Sequence, residues 1–241
     1  MKADPRLVLS CEHGGCRVPA AYRRLFHGQQ RVLSSHRGYD PGALGLANHL
    51  ASEMSAPLVA STVTRLLVEL NRSLQHPRLF SSFSQSLNAA ARQAVLSEFY
   101  EPHRALVEKS IDAAISRCGA ALHLGVHTFT PVLRGQVRRA DIGLLYDPSR
   151  PLERQWAAAW QATIRQRRPD LVVRRNYPYL GIADGLTTFL RRRLAADRYA
   201  GLELEVNQRW FRRGGRAWQQ LTADLAESLG DSLTQVPRSR R

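Results

Sequence analysis

Leu122-His-Leu-Gly-Val-His-Thr-Phe-Thr-Pro131 is a short apolar run that closes on a histidine and then on a proline. Pro131 has no N–H with which to continue a ladder, so the run reads as a buried strand that stops over residues 128–131. In α/β domains the carboxyl ends of strands are where sites are built. His127 therefore stands where a metal ligand or a proton carrier is expected. A lone histidine at a strand end is more often a hydrogen-bonded structural residue. The weight of His127 comes from three further polar clusters at strand ends: Glu12-His13, Asn71-Arg72 and Glu205.

Towards the amino terminus, Leu7-Val-Leu-Ser-Cys11 reads as a first strand that ends at Glu12-His13 and a Gly14-Gly15 turn. Residues 42–55 have helical periodicity through Leu44, Ala47, Leu50, Ala51 and Met54. Residues 58–60 read as a short strand and 65–70 as another, ending in Asn71-Arg72-Ser73. Residues 89–118 give one or two long helices, with Pro102 interrupting or opening the second. Beyond the His127 strand, 141–146 is strand-like and 152–167 is an amphipathic helix containing Trp156 and Trp160. Segments 171–173 and 202–206 complete the strands, with a helix near 186–196 between them. This alternation predicts a three-layer α/β/α fold with a mixed, mostly parallel central sheet. One domain is expected over residues 1–236, followed by a frayed basic tail at 237–241.

At 241 residues and 44% apolar, the chain can bury a sizeable core and is not broadly disordered. No run approaches the roughly 18 apolar residues of a membrane span. Met1-Lys-Ala-Asp-Pro5 leads straight into a strand-like segment without a signal-peptide core, so the expected compartment is the cytoplasm. Cys11, Cys16 and Cys118 are odd in number and lack framework spacing, which suggests reduced thiols. Cys11 and Cys16 flank His13, but no second cysteine pair exists to complete a structural zinc knuckle.

The net charge of +15 raises the question of nucleic acid. Apart from Lys2 and Lys109, the positive charge is arginine, and it is spread over the chain as on a solvated face. Aromatic residues are sparse among the arginine clusters, apart from Trp210 and Phe211. An arginine-rich nucleic-acid-binding protein with a decayed metal site is thus the rival reading from outside the enzymes. It requires the arginines to cluster on one groove and binding to fall steeply with salt.

Two histidines and a carboxylate are a common catalytic zinc set that leaves one position open for water. His13 and His127 lie far apart in sequence, as expected when a sheet edge gathers ligands. Asp40, just before the helix at 42–55, is the favoured carboxylate, with Glu12 as the alternative. Neighbouring residues on a strand point to opposite faces, so Glu12 and His13 share an ion only if the backbone bends. Asp40 also has a plain reading, as an N-cap. Glu203 and Glu205 share a strand face, and Glu205, nearer the carboxyl end, is placed to move a proton between water and a leaving nitrogen. Arg72 offers a planar fork for a carboxylate, with Asn71 beside it and Arg65 as a second anion contact.

Several segments then resemble, in order, the N-formylglutamate amidohydrolase family, relatives of the zinc carboxypeptidases. They are Cys11-Glu-His-Gly-Gly15, Asp40-Pro-Gly-Ala43, Thr64-Arg-Leu-Leu-Val-Glu-Leu-Asn-Arg72, Val126-His-Thr-Phe-Thr-Pro131, Asp141-Ile-Gly-Leu-Leu-Tyr146, Asn176-Tyr-Pro-Tyr179 and Leu204-Glu-Val-Asn-Gln208. The resemblance implies a phosphorylase/hydrolase-like, zinc-exopeptidase-like fold, with zinc on His13 and His127 and Glu205 as general acid and base. It also implies that Asn71 and Arg72 hold the substrate carboxylate. The carboxypeptidase H-x-x-E ligand does not carry over, because Cys16 stands three residues after His13, which supports Asp40. Two further departures are Thr187-Thr-Phe-Leu-Arg-Arg-Arg193, with arginines where many members carry a histidine, and Pro102-His-Arg104 in place of Pro-Tyr-His. His103 reads either as a site residue or, the favoured reading, as an exposed helix residue, and Arg192 is expected to hold a side-chain acid. The expected activity is zinc-dependent hydrolysis of a small N-acyl amino acid, led by N-formyl-L-glutamate. The alternative is a carboxypeptidase-like or broader N-acyl amino acid amidase.

Overall fold

The computed structural model describes residues 4–237, so the tail at 238–241 lies outside the described residues. Its strands are β1 (Leu7–Cys11), β2 (Leu58–Ala60), β3 (Ala121–Phe129), β4 (Val132–Leu133), β5 (Gln136–Val137), β6 (Ile142–Leu145), β7 (Val173–Arg175) and β8 (Tyr199–Asn207). Six of them form one sheet in the order β2-β1-β3-β8-β6-β7, while β4 and β5 make a separate hairpin. Only the β6–β8 pairing is antiparallel within the large sheet. The mixed, mostly parallel sheet is thus present.

The helices are α1 (Gln30–Leu33), α2 (Ala43–Met54), α3 (Ala89–Val95), α4 (Glu101–Cys118), α5 (Pro151–Arg167), α6 (Leu186–Arg193), α7 (Gln208–Arg213) and α8 (Gly215–Gln235). Strand periodicity decides which helices cover which face. Leu122, Leu124 and Val126 of β3, with Ala200, Leu202, Leu204 and Val206 of β8, pack on α2, α5 and α8. The residues between them face the other way, where Val8, Ala121 and Tyr199 meet Val107 and Ile111 of α4 and Leu186 and Leu190 of α6. Helices therefore cover both faces. On this second face the strands also carry polar groups: Ser10, His123, His127, Glu203 and Glu205 alternate with the apolar set.

Three differences from the sequence expectations have physical causes. Residues 65–70 form turns rather than a strand. Leu66, Leu67, Val68 and Leu70 are all buried, in a separate cluster with Tyr22, Phe26, Leu79 and Tyr100, so no face of the run alternates. A short apolar run cannot be told apart by periodicity alone. The longest described helix, α8, is one that the sequence reading does not anticipate, although Leu221, Leu225, Leu229 and Leu233 stand four apart and all are buried. Finally, Ala89–Val95 and Glu101–Cys118 are joined by a π-helical turn, Leu96–Tyr100, with Pro102 in the first turn of α4, where its missing N–H is tolerated.

Among the described residues no helix is long and apolar enough to cross a membrane. Not all arginines lie on a solvated face. Arg6, Arg104, Arg150 and Arg191 are buried, and Arg191 ties Glu153 to the carbonyls of Gly201 and Gly181.

Candidate metal centre and active-site cavity

Because β1, β3 and β8 are adjacent and parallel, their carboxyl ends lie along one edge of the sheet. His13 comes from the turn after β1, where Gly14 and Gly15 pack so closely on the carbonyls of Ser61 and Thr62 that a Cβ would stand 2.8 Å from each. His127 and Glu205 are register partners on β3 and β8, so they share a face. Asp40 enters from the loop before α2 and is held by its backbone, with its N–H on the carbonyl of His13 at 2.9 Å. Asp40 also makes a main-chain turn to Ala43, but Gly42 is the N-cap residue and the Asp40 side chain faces the histidines.

His13, Asp40 and His127 are buried, and one ligand atom from each lies within 4.8 Å of the others. Nδ1 of His13 and Nδ1 of His127 approach the same oxygen, Asp40 Oδ2, at 3.2 and 3.1 Å. Each ring turns its other nitrogen to a carboxylate of its own. Nε2 of His13 contacts Glu69 Oε1. Nε2 of His127 lies 3.1 Å from Glu12 Oε2, an ion-pair contact that lacks hydrogen-bond alignment. Metal-binding histidines are oriented in this manner, with the far ring nitrogen on an anionic partner.

Charge makes the same case. Burial alone would raise the carboxyls of Asp40, Glu69 and Glu12, but the histidines, and Arg65 for the first two, hold all three well below the usual range. Burial alone would lower the two imidazoles, yet their carboxylate neighbours raise both, His127 strongly. Three carboxylates and one guanidinium leave a surplus of two negative charges around His13 and His127, with the His103 ring on the far side of Glu12. Two extra protons can balance that surplus. So can one divalent cation, with both imidazoles neutral and free to ligate. The donor set of two nitrogens and a carboxylate suits such an ion.

Glu205 behaves differently. Burial pushes its carboxyl up to about 8, with Asp40 and Glu203 adding to the rise against His127 and Arg65. Its Oε2 is buried without a hydrogen-bond partner among the described residues. Both Glu205 and the metal cluster border a cavity of about 660 Å³. Its walls carry Arg65, Arg72, Arg78 and Arg134 together with the apolar surfaces of Phe129, Leu133, Tyr179 and Leu180.

The expected substrate contacts are only partly gathered here. Arg72 and Asn71 reach the cavity, but each already has work to do. Arg72 Nη1 donates to the carbonyl of Asp184, and Asn71 Oδ1 accepts from the N–H of Leu186 at 2.7 Å, tying down the start of α6. Arg65 lies between two carboxylates, donating to Glu69 Oε2 at 2.7 Å and to Asp40 Oδ1 at 3.1 Å, so it organises the centre as well as facing the cavity. Arg192 is not brought to this cavity. It borders a separate depression with Arg104 and Phe189, because the register of α6 turns it away from the metal cluster. Glu12 stands on the Nε2 side of the His127 ring, and the cluster of converging donor atoms contains Asp40 rather than Glu12.

Other residues carry roles that the sequence did not reveal. Glu69 was hidden in an apolar run, and only its place four residues after Arg65 hinted at a pair. His103, expected to be exposed, is buried and lies 3.4 Å from Glu12 Oε1. The turn that opens α4 packs onto the site, which helix periodicity could not foretell. His123, on the same face as His127, sits between Ser10 Oγ at 2.9 Å and Tyr199 Oη at 2.8 Å, and burial lowers it to about 4. It is a satisfied core histidine. Cys11 and Cys16 are free thiols, and burial raises Cys11 far above the usual range.

A family model described as N-formylglutamate amidohydrolase matches residues 5–212. No curated protein matches the chain in sequence. Among solved structures, a gene product from Agrobacterium tumefaciens is 29% identical, with a TM-score of 0.82 over 96% of this chain and 92% of that one. An N-formylglutamate amidohydrolase from Ralstonia eutropha JMP134 is 20% identical, with a TM-score of 0.72 over 98% of this chain and 95% of that one. The second likeness is one of fold.

Proposed function

Given that the chain belongs to the N-formylglutamate amidohydrolase family, we propose that it is a zinc-dependent hydrolase that releases formate from a small N-formyl amino acid, with N-formyl-L-glutamate as the leading substrate. The observation that carries this reading is the convergence of His13, Asp40 and His127 beside the unpartnered Glu205 carboxyl. His13, Asp40 and His127 would hold the ion. When bound, it would supply Lewis-acid polarisation of the formyl carbonyl and acidify a water molecule.

The chain's own groups perform the rest. Glu205 Oε2 takes a proton from the attacking water, whose oxygen bonds to the formyl carbon. Glu205 then returns that proton to the nitrogen as the C–N bond breaks, giving formate and the free amino acid. Its buried setting keeps the carboxyl able to hold and give up a proton near neutral pH. Arg72 orients the α-carboxylate through the N–H groups not engaged by Asp184. Arg78 and Arg134, which share the cavity, take the side-chain carboxylate role that Arg192 cannot reach. Glu69 and Glu12 keep the histidine rings aimed.

A broader N-acyl amino acid amidase is the second reading, favoured by the apolar wall of Phe129, Leu133, Tyr179 and Leu180, which a formyl group does not need. Metal analysis of the purified protein, followed by formate release from N-formyl amino acids with and without chelator, tests the proposal. Stoichiometric metal with chelator-sensitive formate release is the expected result. A metal-free protein whose His13→Ala variant matches the unaltered chain would sink it.

A further inference from the structure

Gln208 follows Glu205 by three residues, at the point where β8 turns into α7. It is buried and borders the same cavity. Two oxygens of Thr128 fix which way its amide faces. Nε2 donates to the carbonyl of Thr128 at 3.2 Å and to Thr128 Oγ1 at 3.1 Å. A main-chain carbonyl can only accept, and the Thr128 hydroxyl gives its own proton to the carbonyl of Pro41 at 2.9 Å. Both contacts therefore demand the NH2 group on that side. Gln208 Oε1 is left as a buried acceptor without a partner among the described residues. A buried acceptor left unpaired is costly, so it selects a ligand that brings a donor to it.

The proposed substrate class, on which this inference rests, offers few donors. The carboxylates of an N-acyl amino acid accept, and so does its acyl carbonyl. In N-formylglutamate at neutral pH the amide N–H is the one donor. Glu205 Oε2, also without a hydrogen-bond partner among the described residues, is assigned to water. We propose that Gln208 Oε1 receives the N–H of the scissile amide, making Gln208 a specificity-determining residue that favours secondary amides over the corresponding esters. The site would thereby read the bond to be cut as well as the charges around it.

The test compares kcat/KM for N-formyl-L-glutamate with that for the formate ester of 2-hydroxyglutarate, in which oxygen replaces the N–H, after subtracting spontaneous ester hydrolysis. In the metal-loaded Gln208→Met variant the amide value is expected to fall about tenfold or more while the ester value stays within about twofold. Thr128→Val, which removes one of the two contacts that hold the amide, should lower the amide-to-ester ratio in the same direction by a smaller factor, and it serves if the methionine variant does not fold. An unaltered ratio in every folded variant, with the unaltered protein active, overturns the inference alone. No formate release by the unaltered protein from any N-formyl amino acid overturns the amidohydrolase reading, and this inference with it.

Discussion

Asp40 carries more of the centre than one negative charge suggests. Both histidine rings and Arg65 aim at its carboxylate, and its main-chain N–H fixes it to His13. Losing one such supporting group has a graded cost, which separates ligands from their supports. Glu69→Gln should keep the fold and lower metal affinity by about 10- to 100-fold, measured by competition with a chromogenic chelator. Equal affinity would remove Glu69 from the support of His13. Glu205→Gln should bind metal normally but lose about 10²- to 10⁴-fold in kcat, measured by formate release. Loss of metal in that variant would make Glu205 a ligand rather than a proton carrier. At this scale the sequence singled out both histidines, Asp40 and Glu205, which the structure brings to one cavity, because each sits at a strand end or in a loop near glycine. It did not single out Glu69 or Gln208, and it favoured an exposed place for His103, since their neighbours are set by packing between distant segments.

Between residues and the whole fold, the elements show why some boundaries were readable. The alternation on β3 and β8 and the fourfold spacing on α2 are local patterns, and they were legible. The 65–70 turns were not, because a run buried on all sides has no period to read. The antiparallel β6 has a contact that is equally invisible in one dimension. A Cβ on Gly143 would lie 1.8 Å from the carbonyl of Tyr177 and 3.3 Å from Glu205 Cβ. Gly143→Ala must therefore push the 177–183 loop or the β8 edge. Its expected outcome is a fall in thermal midpoint together with lost activity, measured by calorimetry and formate release. A variant unchanged in both would show that the loop yields freely. Gly181 approaches Tyr146 just as closely, and Arg191 clamps its carbonyl, so the loop bearing Tyr179 and Leu180 is fastened at two points.

Over the whole molecule, several of the arginines behind the charge of +15 have a definite use. Arg6, Arg150 and Arg191 bind carbonyls and carboxylates within the fold, while Arg65, Arg72, Arg78 and Arg134 face the cavity. The core against which they work is anchored by Trp156 and Trp160, stacked with ring centroids 6.5 Å apart, with Trp160 Nε1 donating to Ser228 Oγ at 3.1 Å. Trp160→Ala should cost about 3–5 kcal/mol, read from denaturant unfolding. A loss under about 1 kcal/mol would mean that α8 repacks onto α5.

The parallel neighbours β1, β3 and β8 have a consequence for how the chain is assembled. Donors at positions 13, 40 and 127 meet only after segments more than a hundred residues apart have paired, and Glu205 closes the group later still in the chain. Such long-range closure is slow to form and cannot survive in a fragment. Coordination would then report on completion of the sheet, and the ion would act as a clasp on the native state. At a hundred times its dissociation constant it should add roughly 2.7 kcal/mol to unfolding. A urea midpoint that is the same in excess zinc and in chelator would show that the polypeptide closes this circuit without help.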